Sequence, residues 1–268
     1  MHRTLALLLT TALAGCTPAM AATQPGGFTV EVIVDGRPLA EYAARGTRYV
    51  EAVKGKEYAI RLRNPLGVRV AVALSVDGLN TIDARRTSAL AARKWVLDPY
   101  ECVTISGWQI DGARARRFYF TSEDRSYAEW LGRPEDIGVI TAVFFRERLR
   151  EPAPIASFPA TSDGAGSPGR KGASAGVPPS PPAAEAAAPR AQDAEEYAAT
   201  GIGRETAHPV QAVDIDLEHR PAASVGIRYE YRPQLVRLGI LPPQQPDRLT
   251  RRERARGFDG DYCPVPER

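Results

Sequence analysis

Cysteine and histidine are scarce in this 268-residue chain, at three of each. Once the first residues are set aside, His208 and His219 are the histidines left. No H-E-x-x-H, C-x-x-C or P-loop signature occurs, which removes the usual sequence marks of zinc, redox and nucleotide chemistry. Gly201-Ile202-Gly203 leads into a charged stretch rather than a strand-linked helix, so it makes no dinucleotide fingerprint. The sequence calls for no cofactor. Charge of one sign is also lacking: 35 Lys+Arg against 32 Asp+Glu leave +3, far from the clustered basic face that nucleic acid requires. Beyond the first fifteen residues nothing approaches about 18 unbroken apolar residues, and no transmembrane helix is expected there.

What the chain has in excess is proline, 23 residues against a usual ~5%, a sign that part of it is linker. The rest of the composition, 43% hydrophobic and 25% charged, is that of a globular protein.

The N-terminus reads as a leader, residues 1–21. Met1-His2-Arg3 is basic, and the twelve residues from Thr4 to Gly15 are too few to span a bilayer but fit the apolar region of a secretion signal. Leu13-Ala14-Gly15-Cys16 resembles the lipobox of bacterial lipoproteins, which implies acylation of Cys16 and a membrane anchor. Ala19-Met20-Ala21 is the competing cleavage site and would release a soluble protein at Ala22. The lipoprotein is favoured, with the periplasm or outer membrane as its location. Either cut leaves Cys102 and Cys263, which in an oxidising compartment can form one disulfide. The alternative is a buried free Cys102 and a loose Cys263.

Residues 26–150 show period-two alternation. Val30, Val32 and Val34, then Tyr58, Ile60 and Leu62, then Val68 through Val76 form apolar stripes bounded by Asp-Gly and Asn-Pro-Leu-Gly turns. Further strands are predicted near 95–97, 102–108, 117–121 and 137–146. One helix is expected after Ser122 as cap, with Tyr127, Trp130 and Leu131 on one face and Gly132 as its stop. The fold class is mainly β, an antiparallel sandwich or small barrel with one or two short helices. Residues 151–200 are Pro/Ala/Gly/Ser-rich and read as a disordered insertion. Residues 201–243 resume order, with a hairpin of 213–218 and 224–231 and a short helix from Pro233 to Leu241 that complete the β domain. The tail, 244–268, is Arg- and Pro-rich and expected to be loose.

Ser75-Val76-Asp77-Gly78-Leu79-Asn80, Val96-Leu97-Asp98-Pro99-Tyr100, Ile105-Ser106-Gly107-Trp108 and Ile137-Gly138-Val139-Ile140 resemble a pattern of uncharacterised bacterial secreted proteins. Arg228-Tyr229-Glu230-Tyr231 belongs to the same set. The resemblance spans both ordered parts and skips the linker, which implies one domain with a long insertion. It brings no activity with it.

Several constellations invite function. Asp214, Asp216 and Glu218 share a strand face beside His219, but same-face neighbours ~6.8 Å apart are too far for one calcium ion. A solvated face paired across the hairpin with Arg228 is the plainer reading. Asp77, Asn80 and Asp83 read as turn oxygens rather than a calcium loop. A Cys102–His208 dyad competes with a core cysteine, which is favoured. Trp95, Tyr100 and Trp108 are candidates for a ligand platform, against the alternative of a sandwich core. Arg248, Arg251, Arg252, Arg254 and Arg256 could touch anionic lipid, but Asp247 and Glu253 dilute the run. No catalytic residue and no metal ligand is assigned. The expectation is an exported, lipid-anchored binding or scaffold module, with another envelope protein or a glycan as partner and no nucleic acid. The alternatives are an exported carbohydrate-active hydrolase using Asp and Glu, and a structural protein of a surface appendage.

Overall fold

The computed structural model of the chain describes residues 4–9, 25–148, 196–243 and 252–253. Cys16 and both cleavage sites, the stretch 149–195, and most of the tail including Cys263 lie outside the described residues.

Apolar alternation and tight turns give sixteen strands among the described residues. In chain order they are β1 (Thr4–Leu9), β2 (Thr29–Val34), β3 (Arg37–Pro38), β4 (Glu41–Ala44), β5 (Thr47–Ala52), β6 (Glu57–Arg63), β7 (Val70–Val76) and β8 (Leu79–Asn80). There follow β9 (Lys94–Leu97), β10 (Cys102–Ile105), β11 (Gly107–Gln109), β12 (Arg114–Ser122), β13 (Val139–Arg146), β14 (Ala198–Ala207), β15 (Val210–Ile215) and β16 (Ala223–Tyr231). Two short helices complete the set, α1 (Tyr127–Trp130) and α2 (Arg232–Arg237).

The strands form two sheets. The larger runs β15-β1-β9-β7-β13-β16-β5-β4, with β8 folded back on β7. The smaller runs β11-β12-β6-β2-β3, with β10 on β6 and β14 on β12. The single strand expected over 102–108 breaks at Ser106: β10 pairs with β6 while β11 pairs with β12. The two sheets face each other over a common core. Phe28 stacks on Phe144 at 4.5 Å, and Phe120 meets Tyr229 at 5.4 Å, each pair joining one sheet to the other. The stripes Val30/Val32, Ile60/Leu62 and Val70/Val72/Leu74/Val76 all point into this core and are fully buried, each side chain contributing about 1.5–3 kcal/mol of hydrophobic stabilisation.

The architecture is the mainly β sandwich that the alternation predicts, and residues on both sides of 149–195 belong to it. β14 and β16 pair antiparallel with β12 and β13, and β16 also runs parallel to β5. Other details differ from the expectation. The 213–218/224–231 hairpin does not form: β15 pairs with β1 at one edge of the larger sheet, and β16 lies between β13 and β5. The stretch read as insertion to residue 200 ends sooner, because Ala198–Thr200 already belong to β14. The cap of α1 is Ser126, whose hydroxyl accepts from the Glu129 amide at 3.0 Å; Ser122 is the last residue of β12. α2 has Pro233 in its first turn, as the sequence predicts, but stops at Arg237, short of the expected Leu241. Thr4–Leu9, read as part of the leader, form β1, antiparallel to β15 and parallel to β9.

Candidate functional site

Sheet register sets the site. On the outer face of the larger sheet, Thr141 of β13 stands opposite Ser75 of β7 on one side and Gly226 of β16 on the other. One step along, Val139 stands opposite Arg228. With Ala73 next to Ser75 on the same face, the centre of the sheet carries only small side chains, and a Cβ added at Gly226 would meet nothing within 4 Å. The result is a trough of about 430 Å³ whose lining includes Ser75, Thr141, Arg85, Arg228 and Asp136. That volume suits a ligand of sugar size.

Its wall is the loop from Thr81 to Arg93, and Asn80 holds that loop shut. The Asn80 amide nitrogen donates to the Arg93 carbonyl at 2.8 Å, and its side-chain oxygen accepts from the Ile82 amide at 2.8 Å. Lys94 braces the same loop from beneath, donating to the Leu90 and Ala92 carbonyls at 2.7 and 2.8 Å with its ammonium over the Phe145 ring. Burial without a carboxylate lowers the Lys94 amine to a pKa of about 8. At one end the loop is clasped to 134–136: Arg86 donates to Glu135 and Asp136, and Arg133 donates to the Ala84 carbonyl at 3.1 Å. Gly78 makes that clasp feasible. Its φ is +73°, and a Cβ there would lie 2.8 Å from the Asp136 Cβ.

Electrostatically the trough is lopsided. Its carboxylate, Asp136, is occupied by Arg86. Arg85 and Arg228 line the same recess, and among the described residues neither meets a carboxylate. The Ser75 and Thr141 hydroxyls likewise have no hydrogen-bond partner among the described residues.

Directly behind the trough, inside the core, sits a polar cluster built from the same stretches of sequence. Asp77 is fully buried in the turn between β7 and β8, with φ +50°. Its carboxylate accepts from the Gly138 amide at 2.9 Å, the Thr200 amide at 2.8 Å and the Tyr229 hydroxyl. Since Tyr229 gives its proton to Asp77, the Thr200 hydroxyl donates to Tyr229 at 2.7 Å and receives from Tyr58 at 2.6 Å. Burial pushes Asp77 up to about 6, against the pull of these donors, and pushes the Tyr58 and Tyr229 phenols well up.

The residues singled out from sequence fall elsewhere. Trp95 and Trp108 are core residues, 1% and 2% exposed, because their strands turn them inward; their indoles donate to the Thr81 hydroxyl at 2.9 Å and the Gly201 carbonyl at 3.2 Å. Tyr100 is 69% exposed on a turn with φ +60°. The three therefore make no common platform. Cys102 is disulfide-bonded, its partner lying outside the described residues. A bonded sulfur is no nucleophile, which removes the Cys102–His208 dyad. His208 is instead a core group: its ring meets the Gln109 side chain at 2.7 Å and the Trp95 edge, and burial lowers its pKa. Asp214 lies on β15 with four strands between it and β16, and Glu218 donates its amide to the Arg146 carbonyl, at the end of β13 remote from Val139, the neighbour of Arg228, so the pairing across a hairpin with Arg228 does not occur. Among the described residues no three His, Cys, Asp or Glu converge for a metal. Gly201 owes its place to packing, since a Cβ there would sit 2.4 Å from the Tyr119 ring.

The trough and the Asp77 cluster went unnoticed in the sequence, yet a signal was present. Ser75–Asn80, Ile137–Ile140 and Arg228–Tyr231, three stretches of the resemblance set, are the ones that meet here.

Fold and site thus define a two-sheet β-sandwich with a polar trough on one outer face. The chain belongs to the family described as Domain of unknown function (DUF7918), whose model matches residues 27–163, just over half of its length. That span includes Ser75, Asp77, Arg85 and Thr141 but stops before β14 and β16, which supply Thr200, Arg228 and Tyr229. No curated protein matches the chain, and no solved structure does.

Proposed function

We propose that this chain is an exported, lipid-anchored envelope protein that works as a non-catalytic binding module and takes its ligand in the outer trough. The observation that carries the reading is the trough itself. Two guanidinium groups that meet no carboxylate and two hydroxyls that meet no hydrogen-bond partner among the described residues face one recess, on a sheet whose other face is packed core. Polar groups held ready on a rigid sheet suit recognition, because little order is lost on binding. Hydrolysis by paired carboxylates needs two of them flanking the scissile bond; the trough presents Asp136, already held by Arg86, which favours binding over turnover. The leader with Leu13-Ala14-Gly15-Cys16 supports export and anchoring.

The anchoring arm is tested by palmitate labelling of the full-length chain in a bacterial host. Label is expected in the membrane fraction and lost in Cys16→Ala. An unlabelled mature protein beginning at Ala22 would replace the anchor with soluble secretion, and an intact Met1 in the cytosol would end the export reading.

A further inference from the structure

We infer that the trough recognises an oxyanion, the carboxylate or phosphate of a sugar-sized molecule, with Arg228 and Arg85 as its cationic contacts and Ser75 and Thr141 as hydroxyl donors. The inference rests on the binding-module reading and names its ligand class.

The case is built from what surrounds these four side chains. The neighbouring arginines are spoken for. Arg69 is paired with Glu147, Arg86 with Glu135 and Asp136, and Arg93 with Asp83, while Arg133 donates to the Ala84 carbonyl. Arg85 and Arg228 are left facing the recess, and Asp136 has its charge matched by Arg86. A recess of this kind holds a positive potential that a neutral ligand would leave uncompensated. Guanidinium forks match the planar oxygens of a carboxylate and the tetrahedral oxygens of a phosphate. The floor excludes a different solution. With Ala73, Ser75, Thr141 and Gly226 at its centre, no aromatic ring among the described residues lines the trough, so stacking on a sugar face is not supplied there and polar contacts must give selectivity.

The wall places Arg85 independently of any ligand. The Arg85 carbonyl accepts from the Asn80 amide at 3.1 Å, and its own amide donates to the Asp83 carboxylate at 3.2 Å. Its backbone is therefore fixed while its side chain stays exposed. Arg228 is fixed by β13 on one side and β5 on the other. The two cations come from opposite sides of the recess, one from the loop and one from the sheet.

The test is an amide-resolved NMR titration of the full chain at low salt with four probes: inorganic phosphate, glucose 6-phosphate, glucuronate and glucose. Saturable shifts at Ser75, Val139 and Thr141 are expected with the charged probes and not with glucose. Stronger binding of glucuronate than of glucose 6-phosphate would assign a carboxylate, the reverse order a phosphate. Arg228→Gln and Arg85→Gln should each weaken binding about tenfold, with unchanged melting temperatures, and Arg37→Gln on the other sheet should have no effect. Binding of glucose at the same amides, equal to that of glucuronate and insensitive to both variants, overturns the oxyanion and leaves the binding module standing. Silence of the trough amides with all four probes overturns the oxyanion as well. If they stay silent with whole envelope polysaccharide too, the binding reading falls with it.

Discussion

Asp77 is a carboxylate that the fold prefers to hold protonated, and the consequence for stability has a definite sign. Its pKa rises from 3.8 when exposed to about 6 in the folded chain. Between those values the native state carries the extra proton, so the stabilisation is complete below pH 3.8 and lost as the pH climbs through 6. The span corresponds to about 3 kcal/mol. Asp77→Asn should therefore remove that part of the pH dependence, which denaturant midpoints measured from pH 4 to 7 would show. At pH 4 the variant should also be less stable than wild type, because a carboxamide turns a donor toward either the Thr200 amide or the Gly138 amide. The loss of about 1–3 kcal/mol expected for a buried donor without a partner should be largest at pH 4 and shrink toward pH 7. Asp77 shows what side-chain chemistry conceals. An Asp-Gly pair between strands signals a turn correctly, but nothing local says that the carboxylate is aimed inward, because its donors come from Gly138, Thr200 and Tyr229 far along the chain.

At the level of the element, local chemistry is easier to read. The Asp35-Gly36 and Asp77-Gly78 pairs both adopt positive φ, at +48° and +78° and at +50° and +73°, the geometry of a tight hairpin turn. β2, β6, β7, β13 and β16 lie within a few residues of their predicted places, because period-two alternation against a buried face leaves a plain trace. β4 and β5 leave no such trace: Glu41–Ala44 lie along the sheet edge and Tyr49 packs on α2 residues outside the main core. β14 was hidden by its glycines, which are there to admit Tyr119. The expected cap, Ser122, is a serine four residues too early; Ser126 lies one position before the helical residues and makes the capping bond. Ser126→Ala should cost about 1 kcal/mol. Trp130, 71% exposed and stacked on Tyr127 at 5.7 Å, would lose its support. A melting point lowered by several degrees, with a red-shifted share of tryptophan emission, is the expected result.

For the molecule as a whole, pairing partners distant in sequence are the rule, and alternation cannot say which strand finds which. That is why the hairpin of β15 and β16 was expected and does not exist, and why the trough was invisible: Arg228 reaches it only because β16 enters between β13 and β5. A chain ending at residue 197 keeps β12, β13 and β5 but lacks β14 and β16, the strands they pair with. It should show no cooperative transition when Trp95 and Trp108 fluorescence is followed in urea, whereas the full chain should unfold in one step.

The placement of β16 also acts as a clock. Arg48 becomes the neighbour of Ile227, so the early strands must wait until synthesis has passed residue 227 before their sheet can close. At ordinary ribosomal speeds that delay is on the order of ten seconds or more. In the export proposed for this chain, a polypeptide kept open for so long would still be slack enough to be threaded through a narrow channel, and only on the far side would it have everything it needs to set.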